Sequence, residues 1–257
     1  MTPEPSETFE YKDKELGDTA GIVLDTSPNV FFPTSTSVLL LRAVRQFLTF
    51  SPSSVLDLGC GCGIVAIALA KLLPSIQSVY ASDISEEAVQ LTTHNAALHG
   101  LDIECRRGNL FEPWKGMKFD LIVNDVSGIA EPIARVSPWY PPHIRSEAGR
   151  DGTRWSVRIL SQAPEFLKPR GCLFFPLVTL SNEKKIIETA MESFKIVKLL
   201  QEQWYPLSRE LLQRFELIEE LVREGIVEIQ KRGSRWWWAT KVHLATNFGI
   251  GDFDKLV

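Results

Sequence analysis

No stretch of the chain approaches the run of about 18 apolar residues that a membrane-spanning helix needs, so a helical span is excluded. A basic-then-apolar leader is missing as well. Met1 to Lys14 is acidic and polar, which argues against a secretion signal and leads to the expectation of a cytoplasmic protein without a membrane partner. There is no excess of positive charge: 28 Lys and Arg stand against 32 Asp and Glu, a net charge of −4. A polyphosphate partner calls for a strongly basic face, so nucleic acid is disfavoured as the main partner. Cysteine is scarce, with four residues: Cys60, Cys62, Cys105 and Cys172. The single residue between Cys60 and Cys62 is not zinc-knuckle spacing. All four are read as reduced and structural, the competing reading being a reactive thiol at Cys60 or Cys62. No metal-ligating or nucleophile motif occurs, nor any internal repeat or low-complexity segment. What remains is ordinary globular composition, long enough for a sizeable core.

The chain alternates between two periods. Residues 1–34 carry no strong period and read as an N-terminal arm. "FFPTSTSVLLLRAVRQFL" turns helical, with Ser35 or Thr36 as cap and Val38, Leu41, Val44 and Leu48 as the apolar stripe. Apolar strands then trade places with helices: "SPSSVLDLG", Ile64–Leu73, "SVYASD", "EEAVQLTTHNAALHG", "DIECRRGN" and "FDLIVND". Segment 126–150, broken by Pro132, Pro138, Pro141 and Pro142, reads as a loop. Helix, strand, helix and strand follow to about residue 207. Such alternation predicts a parallel sheet covered on both faces. The end differs: "SRELLQRFELIEELVREG" is one amphipathic helix capped at Ser208, and "IVEIQKRGSRWWWATKVHLAT" is a hairpin turning at Gly233. Residues 35–257 are therefore expected to form one domain, with 208–224 as a helical insertion before its last strand.

The chemistry concentrates in "VLDLGCGCG". Gly59, Gly61 and Gly63 lie between a strand and a helix, where glycine permits a sharp turn and close approach of a ligand. The helix start is expected to present free N–H groups. Asp83 ends the next strand, 20 residues beyond Gly63, the spacing of a carboxylate that grips ribose hydroxyls. Two details argue against a dinucleotide. The third glycine is one residue too early, and Asp57 sits inside the first strand, where it would repel a pyrophosphate but attract an ammonium or a sulfonium.

These residues resemble motif I of the class I methyltransferases that use S-adenosylmethionine (SAM), and "VYASDIS" resembles their ribose-binding strand. The resemblance implies a Rossmann-like α/β fold: a mostly parallel seven-stranded sheet with helices on both faces and an antiparallel C-terminal strand. It implies SAM as cofactor. Asp57, Gly59, Cys60, Gly61 and Gly63 would line the methionine moiety. Asp83 would hold the ribose, Ile84 would pack on adenine, and Asn109 and Leu110 of "RGNLFE" would meet the adenine amino group and its other face. Over residues 30–200, "VFFPTSTSVLLLRAV", "GNLFEPWKGMKFDLIVND" and "GRDGTRWSVRILSQAPEFLKPRGCLFF" are most similar to the release-factor glutamine and small-domain branch.

That branch carries Asn-Pro-Pro-Tyr after its fourth strand; here Asn124, Asp125, Val126 and Ser127 stand in its place. Asn124 is kept for cofactor and acceptor, but the rigid turn and stacking ring for a planar amide are gone. Asp125 offers a carboxylate instead, as a base for a hydroxyl or amine or as a partner for a cation. His143, in a following loop that also holds Trp139, Tyr140, Arg145 and Arg150, is a candidate acceptor-activating base. The expected activity is methyl transfer to a small molecule or a protein side chain, not to glutamine or adenine. Two other readings compete: glutamine transfer through a degenerate motif, and a SAM-binding regulatory protein without activity. "KRGSRWWW" reads either as a base-stacking surface or, more simply, as a closing strand with Trp236 and Trp238 on one face and Trp237 on the other. Oligomeric state is left open by the sequence.

Overall fold

The computed structural model describes residues 8–12, 21–126, 128–140 and 148–248. They fall into two compact units. One runs to Asp125 and includes Phe166–Gly171; the other comprises Val126–Glu165 and the chain from Cys172 on.

The first unit opens with β1 (Thr8–Tyr11) and β2 (Ile22–Asp25), an antiparallel pair. Helix α1 (Ser35–Phe47) follows, capped by Thr34, whose Oγ1 accepts the Thr36 N–H at 3.2 Å. The cap thus lies one residue before Ser35 and two before Thr36, the expected candidates. Then come β3 (Ser54–Leu58), α2 (Ile64–Leu72), β4 (Ser78–Asp83), α3 (Glu86–Leu98), β5 (Ile103–Arg107), a 3-10 turn at Glu112–Trp114, and β6 (Phe119–Asn124). Strands β3 to β6 are parallel, in the order β5-β4-β3-β6 with β5 at the edge. Strands buried on both faces read as continuous apolar runs, as Val55, Leu56 and Leu58 or Leu121, Ile122 and Val123 do. In register, Leu58 lies opposite Ser82 and Asn124, so the strands end level and deliver their following residues to one edge. At the other end, Asp120 Oδ2 accepts the N–H groups of Ser53 and Ser54 at 3.1 and 3.0 Å and pairs with Lys168 at 2.8 Å. Partial burial works against ionisation there, but these donors outweigh it and hold the carboxyl at about 2.

The second unit contains α4 (Glu131–Ala134), α5 (Arg154–Phe166), β7 (Leu167–Val178, its opening residues counted with the first unit), α6 (Glu183–Ser193), β8 (Ile196–Pro206), α7 (Arg209–Leu212), α8 (Phe215–Arg223), β9 (Gln230–Arg232) and β10 (Arg235–Thr246). Strand β10 is its axis, antiparallel to β7, β8 and β9. The expected α/β fold with a parallel core and an antiparallel end is thus present, but the end involves β8 and β9 as well as the last strand. Two local expectations need correction. The presumed loop 126–150 contains α4. The presumed single helix after Ser208 breaks between α7 and α8 at Gln213 and Arg214, and neither residue is a helix breaker, so no local signal marks the interruption. The hairpin and its Gly233 turn stand as expected.

This unit's core is aromatic. Trp238 is buried and meets Trp139 and Tyr205 at ring separations of 5.2 and 5.1 Å, and Trp236 meets Phe215 at 5.1 Å. Trp237 lies instead near Arg232, whose guanidinium sits 4.1 Å over Trp204. The simpler reading of the tryptophan run is the one observed. Gly152 closes the unit's tightest corner: at φ +72°, a Cβ there would lie 2.6 Å from the Ala130 backbone nitrogen, which only glycine tolerates. No helix among the described residues is long and apolar enough to cross a membrane.

Candidate functional site

The site lies in the first unit, where β3, β4 and β6 end. Gly59, Gly61 and Gly63 all take positive φ, 78°, 55° and 89°. At Gly63 a Cβ would press Thr92 Cγ2 at 3.0 Å and Ile67 Cδ1 at 3.2 Å, so this position needs glycine both for its backbone and for its space. The loop folds on itself. The Gly59 and Cys60 N–H groups both donate to the Ser82 carbonyl at 2.8 and 3.1 Å, and the Gly63 N–H donates to the Cys60 carbonyl at 2.7 Å. The Gly61 N–H donates to Asp83 Oδ2 at 3.1 Å, and the Ala66 N–H to Asp57 Oδ2 at 3.1 Å. Of these five donors only Ala66 belongs to α2 itself; the other four lie in the loop before it, and two of the five, Gly61 and Ala66, are taken by carboxylates. Such a loop offers an anion little and a cation much.

Three aspartates converge here. Asp57 is fully buried, and its Oδ1 has no hydrogen-bond partner among the described residues. Burial pushes this carboxyl well above its ordinary range; repulsion from Asp125 and Asp83 adds to the rise, and the Ala66 N–H opposes it. Asp83 also accepts the Ser85 N–H on Oδ1 at 2.9 Å. Burial raises it, and the N–H groups of Ser85, Gly61 and Ile84 restrain the rise. Asp125 donates its N–H to the Leu58 carbonyl at 3.1 Å, beside the start of the glycine loop. Burial lifts its carboxyl to about 6 against the pull of Ser37, whose Oγ donates to Oδ2 at 2.5 Å. Like charges gathered in a poorly solvated place raise one another's proton affinity, and an arriving cation relieves them.

Around this cluster, Asn124 is buried at the end of β6. Ile84 leaves 62% of its surface exposed right after Asp83, an apolar side chain without cover. Leu110 takes φ +54°, the one described non-glycine residue in the left-handed region, at a cost of about 1–2 kcal/mol. Its carbonyl accepts the Ser82 hydroxyl at 3.5 Å, and Asn109 precedes it on the same turn. Cys60 and Cys62 are buried free thiols; burial raises both, Cys62 to about 12, so the structural reading of these cysteines holds. Cys60 Sγ accepts the Thr92 hydroxyl at 3.3 Å.

Loop candidates fare differently. His143 and Arg145 lie outside the described residues, as does Ser127. Trp139 and Tyr140 belong to the aromatic core of the second unit, and Arg150 forks onto Glu224 at 2.7 and 2.8 Å. These three residues of the loop each have a protein partner. Asp151 accepts the Thr153 N–H at 3.2 Å in a turn just ahead of α5.

Three residues were missed. Ser37 was seen only as part of a capping run. Thr92 donates to the Gly61 carbonyl at 3.0 Å. Asn95, fully buried, donates to the carbonyls of Asp25 and Cys62 at 2.9 and 2.8 Å and accepts the Asp25 N–H at 2.9 Å. It therefore ties β2 to the glycine loop. A polar residue on the inner face of an amphipathic helix is the only sequence signal these two offered. No group of three or more potential metal ligands occurs among the described residues.

Comparison with known proteins places this site in context. Residues 23–125 match the family model "Methyltransferase small domain". The release factor glutamine methyltransferase of Geobacter sulfurreducens is 35% identical over 162 residues, covering 61% of this chain and 56% of that protein. The ribosomal protein L11 methyltransferase of Caldanaerobacter subterraneus is 33% identical over 187 residues, 71% of this chain and 56% of that protein. The chain thus spans about half the length of the curated relatives it matches. Among solved structures, a T. thermophilus 16S rRNA N2 methyltransferase in complex with AdoMet and guanosine superposes with a TM-score of 0.60 at 18% identity, covering 96% of this chain and 52% of that one. A ribosomal protein L11 methylase from Lactobacillus delbrueckii gives 0.52 at 22% identity, covering 87% and 84%. The fold is that of the class I SAM-dependent methyltransferases.

Proposed function

We propose that the chain, whose residues 23–125 match the methyltransferase small domain model, is a SAM-dependent methyltransferase acting on a hydroxyl or amine of a small molecule or protein side chain, and not on glutamine or adenine. The observation that carries this reading is Asp125: a carboxylate held by Ser37 where the glutamine branch has a proline.

The residues present fit the cofactor. The orphaned Asp57 Oδ1 and the carboxylate of Asp83 suit a molecule that carries an ammonium and a sulfonium. The loop of Gly59, Cys60, Gly61 and Gly63 would lie along the methionine part. Asp83 would take the ribose hydroxyls, exposed Ile84 one face of the adenine, and Leu110 with Asn109 the other face and edge. When bound, SAM supplies a methyl group already attached to a good leaving group. The protein's own task is then to align the acceptor and remove a proton. Asp125, with a carboxyl near 6, is ionised at neutral pH and basic enough to accept that proton; Asn124 would orient the acceptor. His143 is retained as a second candidate base.

Asp125→Asn tests this. The labelled methyl of SAM should enter a metabolite or protein fraction of a cell extract at a rate about 10²–10⁴-fold lower with the variant, with SAM affinity changed less than about twofold. A variant that loses SAM binding yet turns over at saturating cofactor would move Asp125 into the cofactor pocket and sink the reading. The alternative acceptor, protein glutamine, is favoured by the sequence similarity to release factor glutamine methyltransferases. Robust labelling of a release factor would establish it instead.

A further inference from the structure

Ser37 has a single hydroxyl proton, and the structure shows where it goes. Serine inside a helix ordinarily bonds a carbonyl one turn back on its own helix. Ser37, in the first turn of α1 and 98% buried, sends its proton across 88 residues of sequence to Asp125 Oδ2 at 2.5 Å. The helix does not need it: Thr34 already supplies the cap. The opposite side of Asp125 is pinned through its backbone N–H to Leu58. The Ser37 bond falls on Oδ2 and leaves Oδ1 outside it.

We propose that Ser37 is the positioning residue of the transfer step: it holds Asp125 Oδ2, keeps the carboxylate ionised, and presents Oδ1 as the atom that accepts the proton. This rests on the reading of Asp125 as the acceptor-side base. A hydroxyl that donates to an ionised carboxylate stabilises the charged form, whereas burial opposes it, so removing the donor lets burial act unopposed. The other titratable groups that feel Asp125 in this unit are Asp57 on β3, whose carboxyl burial pushes toward its protonated form, and the Cys62 thiol, pushed up to about 12. Neither can replace Ser37 as a donor that favours negative charge. With SAM bound, the acceptor's nitrogen or oxygen would bond to the methyl carbon as that carbon's bond to sulfur breaks, the electron pair leaving with S-adenosylhomocysteine; the acceptor's proton would pass to Oδ1, and Ser37 would keep its own.

The test needs no acceptor. With aspartate labelled by ¹³C at Cγ, the Asp125 signal is identified by its loss in Asp125→Asn and followed against pH. Ser37→Ala should raise its midpoint by about one pH unit, a tenfold gain in proton affinity. A double-mutant cycle guards against a merely structural role: in the Asp125→Ala background, where no acceptor is left for the Ser37 hydroxyl, Ser37→Ala should leave the melting temperature where Asp125→Ala alone puts it. An unmoved Asp125 midpoint in Ser37→Ala overturns the proposal, and so does an equal loss of melting temperature in both backgrounds. Neither outcome depends on turnover, so failure here is separable from failure of the Asp125 reading.

Discussion

The two units solve the same problem, burying about half a chain of apolar residues, with opposite materials. The first is a parallel sheet whose interior carries polar groups wired to one another: Asp57 to Ala66, Asp83 to Gly61, Ser37 to Asp125, Asn95 to Asp25 and Cys62. The second is an antiparallel arrangement around β10, filled by rings and fixed outside by ion pairs such as Lys241 with Glu183 at 2.8 Å. Apolar packing is stabilising in itself, whereas buried charge is tolerated where a ligand will complete it. The first unit is therefore built for binding, at some loss of stability, and the second for rigidity.

Breaking the second unit should have the largest effect. Trp238→Ala removes the centre of its aromatic core and should cost about 3–5 kcal/mol of unfolding free energy, read by urea denaturation. A loss below about 1 kcal/mol would show that the cluster is loosely packed.

Next comes His243, stacked on Phe175 with its Nδ1 unpartnered and buried. Burial, and to a lesser degree Lys241, lowers its pKa to about 4. The unfolded chain takes up the proton near 6.5, the folded one only near 4. Stability attributable to this residue thus falls as pH drops through that window, by up to about 3 kcal/mol, and levels off below it. Asp125 acts with the opposite sign in an overlapping window, since its folded value is raised: its share of stability is intact below about 3.8 and is lost as pH rises through about 6. Comparing His243→Phe with the wild type separates the two, because the variant should lack only the acid-side loss. Identical pH profiles would place the proton elsewhere.

The smallest expected effect sharpens the first unit's side of the contrast. Asp83→Ala should weaken SAM binding by about 1–3 kcal/mol, measured by calorimetry, since the variant loses a charged partner for hydroxyls and the brace on Gly61. An unchanged dissociation constant would make Asp83 a purely structural residue.

How much of this was legible in the sequence depended on range. The glycine loop, Asp57 and Asp83 could be read because strand, turn and helix follow within one stretch of chain. The α/β order was readable because period-2 and period-3.6 patterns alternate locally. The partner of Ser37 was not, because nothing in "PTSTS" says which hydroxyl caps and which reaches 88 residues onward. Nor was the fate of Trp139 and Tyr140, since an aromatic residue in a proline-rich segment reads alike whether it meets a ligand or a core. The break between α7 and α8 has no local signal at all.

Asn95 sets an order of assembly. Its three bonds join Asp25, Cys62 and α3 across separations of 70 and 33 residues, and contacts so distant in sequence close late. During synthesis from the N-terminus, β2 and the glycine loop both emerge before the side chain that fastens them. Until α3 has left the ribosome, the loop has its glycines but not the bond that ties it to β2.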